Sequence, residues 1–196
     1  MRARNHDDDA LQRCLVLARG GEQDGYTAVY RCLAGRVAGY VRGRGVDDVD
    51  EVVNDVFLAA FSNLSTGPAD AAGFRSWLFT IAHNKAVDWH RARRRRPVTV
   101  ELGERPIMGG DVDAEALASL GSANVAVLLA LLSDDQCNVL LLRVVADLSL
   151  AETAEVLGKP IGAVKSLQHR ALAALARAMS NEAVSPNATG ATTESR

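Results

Sequence analysis

The side chains with the clearest chemical potential lie between residues 73 and 97, where aromatic and cationic residues share one predicted helix. The segment ends in four consecutive arginines and then Pro97, which lacks the amide hydrogen that a further helical turn would need. Cations attract phosphates, and aromatic rings stack on unpaired bases. These residue types predict binding of a nucleic acid. The alternative is a basic, solvated helix end that only favours the helix dipole.

Catalytic and metal-binding patterns are not evident in the sequence. The four histidines lack HExxH-type spacing, and no glycine-rich segment has the pattern of a phosphate-binding loop. The three cysteines are odd in number and widely separated, so we expect reduced, mostly buried thiols. We predict that the protein is not an enzyme and binds no metal or cofactor; an all-helical enzyme is the less favoured alternative.

The basic helix needs a partner, because one of its faces is apolar. Residues recur on that face at helical intervals: Phe74, Trp77, Leu78, Ile81, Ala82 and Trp89. The opposite face is polar and increasingly basic: Asn84, Lys85, Asp88, Arg91, Arg93, Arg94, Arg95 and Arg96. We predict that Phe74 and Trp77 support the helix from within, while the polar face is open to a ligand.

Apolar periodicity predicts helices at residues 9–18, 26–41 and 49–64 before this one. The acids at 7–9 are expected to cap the first of these helices, and those at 47, 48 and 50 to cap the third. Glu51 and Asp55 lie one turn apart on the third helix, where like charges repel mildly. That repulsion indicates a basic partner for this face.

A second domain is predicted after a linker rich in proline, glycine and acids. Ser133–Gln136 and Ser149–Glu152 have capping-box spacing, and Gly158 opens a short turn into a helix that starts near Ile161. This arrangement predicts a helix-turn-helix, with an ordinary helical hairpin as the alternative. Its second helix offers polar side chains to DNA: Lys165, Ser166, Gln168, His169 and Arg170.

Together these patterns predict an all-α protein of two small helical domains joined by a flexible linker. The predicted boundaries are 1–96, a linker at 97–121, 122–180, and a disordered tail at 181–196. The composition is globular, with 48% hydrophobic residues and a net charge of −2. No apolar run approaches membrane-spanning length, so we expect a soluble, cytoplasmic protein without membrane insertion.

Two segments resemble bacterial RNA polymerase sigma factors of the extracytoplasmic-function (ECF) class. Domain two of that family is similar to DVDEVVNDVFLAAFSNL and FRSWLFTIAHNKAVDWHRARRRR, and domain four to LSDDQCNVLLLRVVADLSLAETAEVLGKPIGAVKSLQHRALAAL. The resemblance implies promoter-specific initiation with core RNA polymerase and promoter DNA, together with an inhibitory anti-sigma factor.

The resemblance also implies a role for each set of residues. Polymerase-binding positions match Asp48, Glu51, Asn54, Asp55 and Phe57. The polar face that begins at Asn84 matches the minus-ten and melting surface, where Asn84 and the loop at 62–73 would hold an unstacked base. Residues 165–170 match the helix that reads the minus-thirty-five element, although Leu167 and Gln168 depart from the family pattern.

A helix-turn-helix regulator that binds duplex DNA without polymerase is the main rival. It accounts for residues 133–179 but leaves Glu51, Asp55 and the aromatic, arginine-rich helix unused.

Overall fold

The computed structural model describes residues 2–95 and 125–183, and every regular element there is an α-helix. The first four are α1 (Arg2–Arg19), α2 (Gln23–Gly43), α3 (Val49–Ser62) and α4 (Ala71–Arg95). A short helical segment at 125–130 precedes α5 (Asp134–Val144), α6 (Leu150–Leu157) and α7 (Ile161–Ala183). The all-α prediction is confirmed. The predicted linker, Arg96 and Pro97 lie outside the described residues.

Helix α4 is the central element of the N-terminal half and contacts α1, α2 and α3. Its buried apolar residues are Ala71, Phe74, Leu78, Phe79, Ala82 and Ala86. The predicted apolar face was therefore only partly right. Trp77, Ile81 and Trp89 are half-buried at its edge, while Phe79, on the other side of the helix, is fully enclosed against Tyr40. Because α4 is buried on two sides, less of its surface is exposed to solvent than a simple amphipathic helix would leave.

Acidic residues near the N-terminus do not cap α1, and that prediction was wrong. The helix begins at Arg2, so the acids at 7–9 lie well inside it. Asp7 accepts a hydrogen bond from Arg36 of α2 at 2.9 Å, and Asp8 pairs with Arg75 of α4. Arg75 is only 1% exposed, and a buried guanidinium needs a carboxylate partner. Asp7 and Asp8 therefore connect helices instead of terminating one.

The acids before α3 also differ from their predicted role. Asp48 is the N-cap residue, but its side chain makes no capping hydrogen bond. It accepts instead from the indole nitrogen of Trp89 at 3.3 Å, and Asp47 pairs with Arg93. Both carboxylates therefore face the end of α4.

The C-terminal half has the predicted helix-turn-helix. Ser133 with Gln136 and Ser149 with Glu152 form the two capping boxes, which are thus confirmed. Gly158 adopts the left-handed conformation, with φ of 60°, that a side chain would disfavour. The chain then turns within two residues into α7. That helix continues to Ala183, slightly beyond the predicted domain boundary at 180; the tail from 184 lies outside the described residues.

The two halves pack against each other: α5 contacts α2, and α6 contacts α4. Apolar residues of both halves belong to one continuous core. Cys137 is buried within it, whereas Cys14 is half-buried and Cys32 is exposed, so the expectation of mostly buried thiols was wrong for Cys32; all three thiols are free. Within the described ranges, no helix has both the length and the apolar character that crossing a membrane requires.

Candidate nucleic-acid interface

The C-terminal end of α4 carries a series of exposed cations. Arg91, Arg94 and Arg95 are solvent-exposed, and Arg93 lies over the Trp89 ring at 5.1 Å from its centroid. Arg91 pairs with Asp88 at 3.4 Å, one turn earlier. Surface pairs of this kind contribute little and exchange readily with other ions. This end of the helix can therefore offer several guanidinium groups to phosphates at once.

A cleft lies beside the same helix. Its volume is about 770 Å³, and it is lined by Ala59, Asn63, Thr66, Gly67, Pro68, Trp77 and Ile81. One wall is the Trp77 ring, which also meets Phe74 edge-on at 5.8 Å. The loop between α3 and α4 also lines the cleft, and at Gly67 this loop lies directly against the Trp77 ring.

Helix α1 fixes the loop that forms this cleft. The guanidinium of Arg19 donates to the carbonyl of Gly67 at 3.0 Å and also to that of Pro68. The Gln12 amide donates to the carbonyl of Ala69 at 3.1 Å and accepts from the amide of Ala71 at 2.7 Å. Neither Gln12 nor Arg19 could be identified from the sequence, because their partners are backbone groups about fifty residues away.

The outward face of α3 is acidic. Asp48, Glu51, Asn54 and Asp55 are all exposed, as the sequence predicted for a surface that meets a partner. A groove of about 490 Å³ lies between this face and α4, lined by acids of α3 and by Lys85, Asp88, Trp89 and Arg93. Lys85 lies 2.7 Å from Asp55 across it. The acidic and basic surfaces are therefore immediate neighbours.

Beside Asn84, the ring of His83 turns toward the second half of the protein. Its Nδ1 atom lies 2.8 Å from the phenol oxygen of Tyr40. Burial lowers the pKa of His83 below its usual value, and the nearby Arg44 lowers it further. Burial also raises the pKa of Tyr40. Both groups are therefore neutral near pH 7, while Asn84 itself points outward to solvent.

Helix α7, the second helix of the helix-turn-helix, presents polar side chains from its first turns. Lys165, Ser166, His169 and Arg170 are exposed, and Gln168 is half-buried. The opposite side of the helix is anchored because Val164 and Ala171 are completely buried. Leu167 packs against the small core around Val139 and Ala154. A leucine at this position therefore completes the core and does not face the solvent side.

Comparison with known proteins identifies both halves. The family model for Sigma-70 region 2 matches residues 26–96, and the model for Sigma-70, region 4 matches residues 128–177. The ECF RNA polymerase sigma factor BldN of Streptomyces coelicolor is 30% identical over 185 residues, covering 92% of this chain and 70% of BldN. The chain belongs to the ECF RNA polymerase sigma factors.

Other sigma factors are also similar to this chain. SigD of Mycobacterium tuberculosis is 31% identical over 173 residues, which cover 84% of this chain and 81% of SigD. A solved structure of CnrH in complex with the cytosolic domain of CnrY is 27% identical, with a TM-score of 0.67; the match covers 88% of this chain and 99% of CnrH. As a sigma factor, the chain directs promoter-specific transcription initiation with RNA polymerase and is not an enzyme.

One residue assigned to the polymerase surface of this sigma factor needs correction. Phe57 is only 2% exposed and packs between Tyr30 and Phe61, so its side chain supports the core and cannot meet a partner directly. Leu58, the next residue, is 68% exposed and is the apolar side chain available to a partner on this helix. The sequence could have indicated Leu58, because it lies outside the apolar positions that form the buried face of α3.

Proposed function

We propose that this sigma factor uses three separate surfaces. The acidic face of α3 binds core polymerase, the cleft beside Trp77 with the basic end of α4 binds and opens the minus-ten element, and the start of α7 reads the minus-thirty-five element. Residues 1–96 and 122–180 are the two working units, and residues 97–121 join them.

The minus-ten assignment rests chiefly on one observation, the continuity of the cleft with the polar face of α4. The cleft reaches Ile81, and Asn84 is exposed one turn further along the same helix. The polar face of α4 continues through Lys85, Asp88 and Arg91 toward the terminal arginines. An unpaired base can enter an aromatic-walled cleft while its phosphates follow the cations. This combination suits a strand that has left the duplex.

On the minus-thirty-five side, Arg170 can donate two hydrogen bonds to a guanine or hold a phosphate, and Lys165 can act as a point charge toward either. Ser166, Gln168 and His169 complete the polar set on the same turns. Anchoring by Val164 and Ala171 holds the face of the helix that carries these side chains in a fixed orientation. A rigid recognition helix is what reading of base edges requires.

The central experiment compares wild type with Asn84→Ala in run-off transcription from a promoter library randomised at the minus-ten element. We expect Asn84→Ala to relax the preference at one position, with core polymerase binding unchanged. Gln23→Ala, an exposed polar residue on α2, is the matched control and should keep the wild-type preference. Identical preferences for wild type and Asn84→Ala would overturn the assignment of Asn84.

The likeness to CnrH also supports a proposal about regulation. CnrH was solved in complex with the cytosolic domain of CnrY, and the match covers nearly all of CnrH. We propose that an anti-sigma factor binds the present chain in a similar way. We further propose that the protein acts in the cytoplasm, where its polymerase and promoters are found.

A further inference from the structure

A buried guanidinium lies just after the end of α2. The Arg44 side chain is only 9% exposed, and its Nη1 atom lies 3.8 Å from a carboxylate oxygen of Asp134 in α5. Asp134 itself is 85% exposed, so its carboxylate remains largely hydrated. Among the described residues Asp134 is the ion-pair partner of Arg44, and the Arg44 Nε atom is enclosed without a hydrogen-bond partner. The positive charge of Arg44 is therefore only loosely compensated.

A buried charge is costly unless an opposite charge contacts it directly. Arg75 meets this requirement, because its guanidinium pairs with Asp8 of α1. Arg44 does not. Burial raises the pKa of the Cys137 thiol, and Arg44, which hydrogen-bonds to this thiol, opposes that rise. A neutral thiol is a weak acceptor and supplies no countercharge. An anion bound beside Arg44 would supply the charge that this guanidinium lacks.

Arg44 lines a pocket of about 250 Å³, which we call the arginine pocket. Its lining residues are Arg44, Val87, His90, Arg91, Arg94 and Asp134. The pocket therefore has three guanidinium groups and one carboxylate. Arg94 makes no ion pair with a described residue, and Arg91 pairs with Asp88 at 3.4 Å on the surface. Nε2 of His90 donates to the carbonyl of Arg44 at 2.9 Å, which holds the backbone that carries the buried guanidinium.

The size and charge of the arginine pocket indicate the class of ligand. At about 30 Å³ for each water molecule, a pocket of about 250 Å³ has room for roughly eight waters, which suits a small hydrated ion. Val87 is the one aliphatic residue in the lining, so an apolar ligand would find little to contact. Guanidinium groups bind phosphate oxygens through paired, charge-assisted hydrogen bonds. Three such groups match the charge of a diphosphate better than that of a single carboxylate.

A DNA backbone suits the arginine pocket less well than a small anion does. Arg44 is nine-tenths buried, so a backbone phosphate would have to leave the outer surface of the duplex and enter a concave site. The exposed carboxylate of Asp134 would also repel the neighbouring phosphates of a polyanion. A free diphosphate has no neighbouring phosphates, and it can approach the three arginines while Asp134 stays hydrated.

We propose that the arginine pocket binds a free diphosphate group, either inorganic pyrophosphate or the diphosphate end of a nucleotide. Arg44 supplies the buried charge, and Arg91 and Arg94 donate hydrogen bonds to the outer oxygens. Arg91 and Arg94 also belong to the basic end of α4 that we assign to promoter DNA. A bound diphosphate therefore keeps these two side chains from promoter phosphates; this last step rests on the proposed function, whereas binding itself does not.

Isothermal titration of the full chain with pyrophosphate, without divalent cations, tests the site. We expect one saturable site, and Arg44→Gln should weaken binding by about tenfold or more, as expected for the loss of a charge-assisted hydrogen bond. Arg42→Gln removes the same charge at an exposed position outside the pocket lining and should bind like wild type. ADP and adenosine distinguish the two sources of the group. Binding of ADP but not adenosine indicates a nucleotide, and binding of pyrophosphate alone indicates the inorganic ion; both results support the site.

A second variant should change the affinity in the opposite direction, and it keeps the test available if Arg44→Gln does not fold. Asp134→Asn removes the carboxylate from the pocket, leaves the capping box of Ser133 and Gln136 intact, and should tighten pyrophosphate binding by about threefold. Asp24→Asn, an exposed change elsewhere, should have no effect.

Three results would overturn the proposal. The first is a Kd weaker than about 1 mM for both pyrophosphate and ADP. The second is unchanged pyrophosphate binding in folded Arg44→Gln or in Asp134→Asn. The third is an Arg44→Gln variant that loses promoter binding as holoenzyme but keeps pyrophosphate binding, which would assign Arg44 to DNA. Because the titrations use the free protein, failure to bind a diphosphate leaves the proposed surfaces for polymerase and DNA unaffected.

Discussion

The ammonium nitrogen of Lys85 lies 2.7 Å from a carboxylate oxygen of Asp55, so a residue of the proposed DNA surface is paired with one of the proposed polymerase surface. Arg93 and Asp47 form a second pair of this kind. All four side chains are at least a third exposed, and pairs in such positions contribute only about 0–1 kcal/mol each. They can therefore exchange partners when polymerase and DNA arrive.

Charge reversal on α3 should remove polymerase binding without unfolding the protein. We predict that Glu51→Lys with Asp55→Lys lowers the free energy of unfolding by no more than about 1 kcal/mol, because exposed ion pairs are weak. Co-purification with core polymerase should be lost. Asp24→Lys with Glu155→Lys changes the net charge equally at exposed sites elsewhere and should leave binding intact. Normal holoenzyme assembly by the α3 variant would contradict the assignment.

Neutralising the end of α4 should change how promoter binding depends on salt. We predict that replacing Arg93, Arg94 and Arg95 with Gln weakens holoenzyme binding to all promoters alike. For each phosphate that is no longer neutralised, the slope of log affinity against log salt should become shallower by about 0.7–0.9. Filter binding at several salt concentrations measures this. Arg13, Arg31 and Arg177, also exposed, provide a matched triple replacement that should keep the wild-type slope. A wild-type slope in the α4 variant would identify these arginines as a solvated helix end.

Removing the side chains that anchor the cleft loop should impair promoter opening. Gln12→Ala with Arg19→Ala removes hydrogen bonds to backbone groups of residues 67–71, each worth about 0.5–1.5 kcal/mol. We expect slower promoter opening, measured by permanganate reactivity of unpaired thymines, with polymerase binding unchanged. Arg13→Ala with Gln23→Ala is the surface control. Wild-type opening kinetics in the anchor variant would show that α1 does not position this loop for melting.

Local signals account for most of the secondary structure that the sequence predicted. The two capping boxes and the turn at Gly158 depend on residues within four positions of each other, so their chemistry can be read directly. The same holds for the buried side of α7, where Val164 and Ala171 follow helical spacing.

Long-range partners explain what the sequence did not predict. From the sequence, Asp8 was predicted to be a capping residue, but its carboxylate pairs with Arg75, which is 67 positions later. In the sequence, Gly39 and Gly43 only weaken a helix, but in the structure they allow side chains of Val145 and Leu141 to approach α2 closely. Phe57 matches a family position for polymerase binding, yet its neighbours Tyr30 and Phe61 enclose it. In each case the decisive contact comes from another helix, which helical periodicity cannot reveal.

Acidification should destabilise the protein through His83. Burial and Arg44 lower the pKa of His83, and Asp135 opposes them only in part; Tyr40 faces the ring as a neutral phenol. Below the unfolded pKa of about 6.5, the unfolded chain therefore binds more protons than the folded chain, and the free energy of unfolding falls as the pH drops. Above that pH, the free energy of unfolding is no longer reduced by protonation of His83. Urea unfolding at pH 7.5 and about 5.5 measures the loss, and His83→Gln should reduce the difference. An equal loss in His83→Gln would assign the effect to other groups.

Sequence choice at the minus-thirty-five element should depend on the first turns of α7. Lys165 and Arg170 are exposed outside the buried face formed by Val164 and Ala171, so both can reach DNA. Removing a base contact costs about 1–3 kcal/mol at one position, whereas removing a phosphate contact weakens all sequences together. We predict that Lys165→Ala and Arg170→Ala both reduce transcription from the cognate promoter, and that at least one alters the preferred sequence in a library selection.

The control for this prediction lies on the same helix. Arg177 is exposed two turns beyond Arg170, past the turns that enter the groove in a helix-turn-helix, so Arg177→Ala should keep the wild-type preference. Because the three side chains are exposed, none of the changes should alter the thermal midpoint by more than a few degrees. Full activity and an unaltered preference in both Lys165→Ala and Arg170→Ala would mean that α7 does not read bases through these residues.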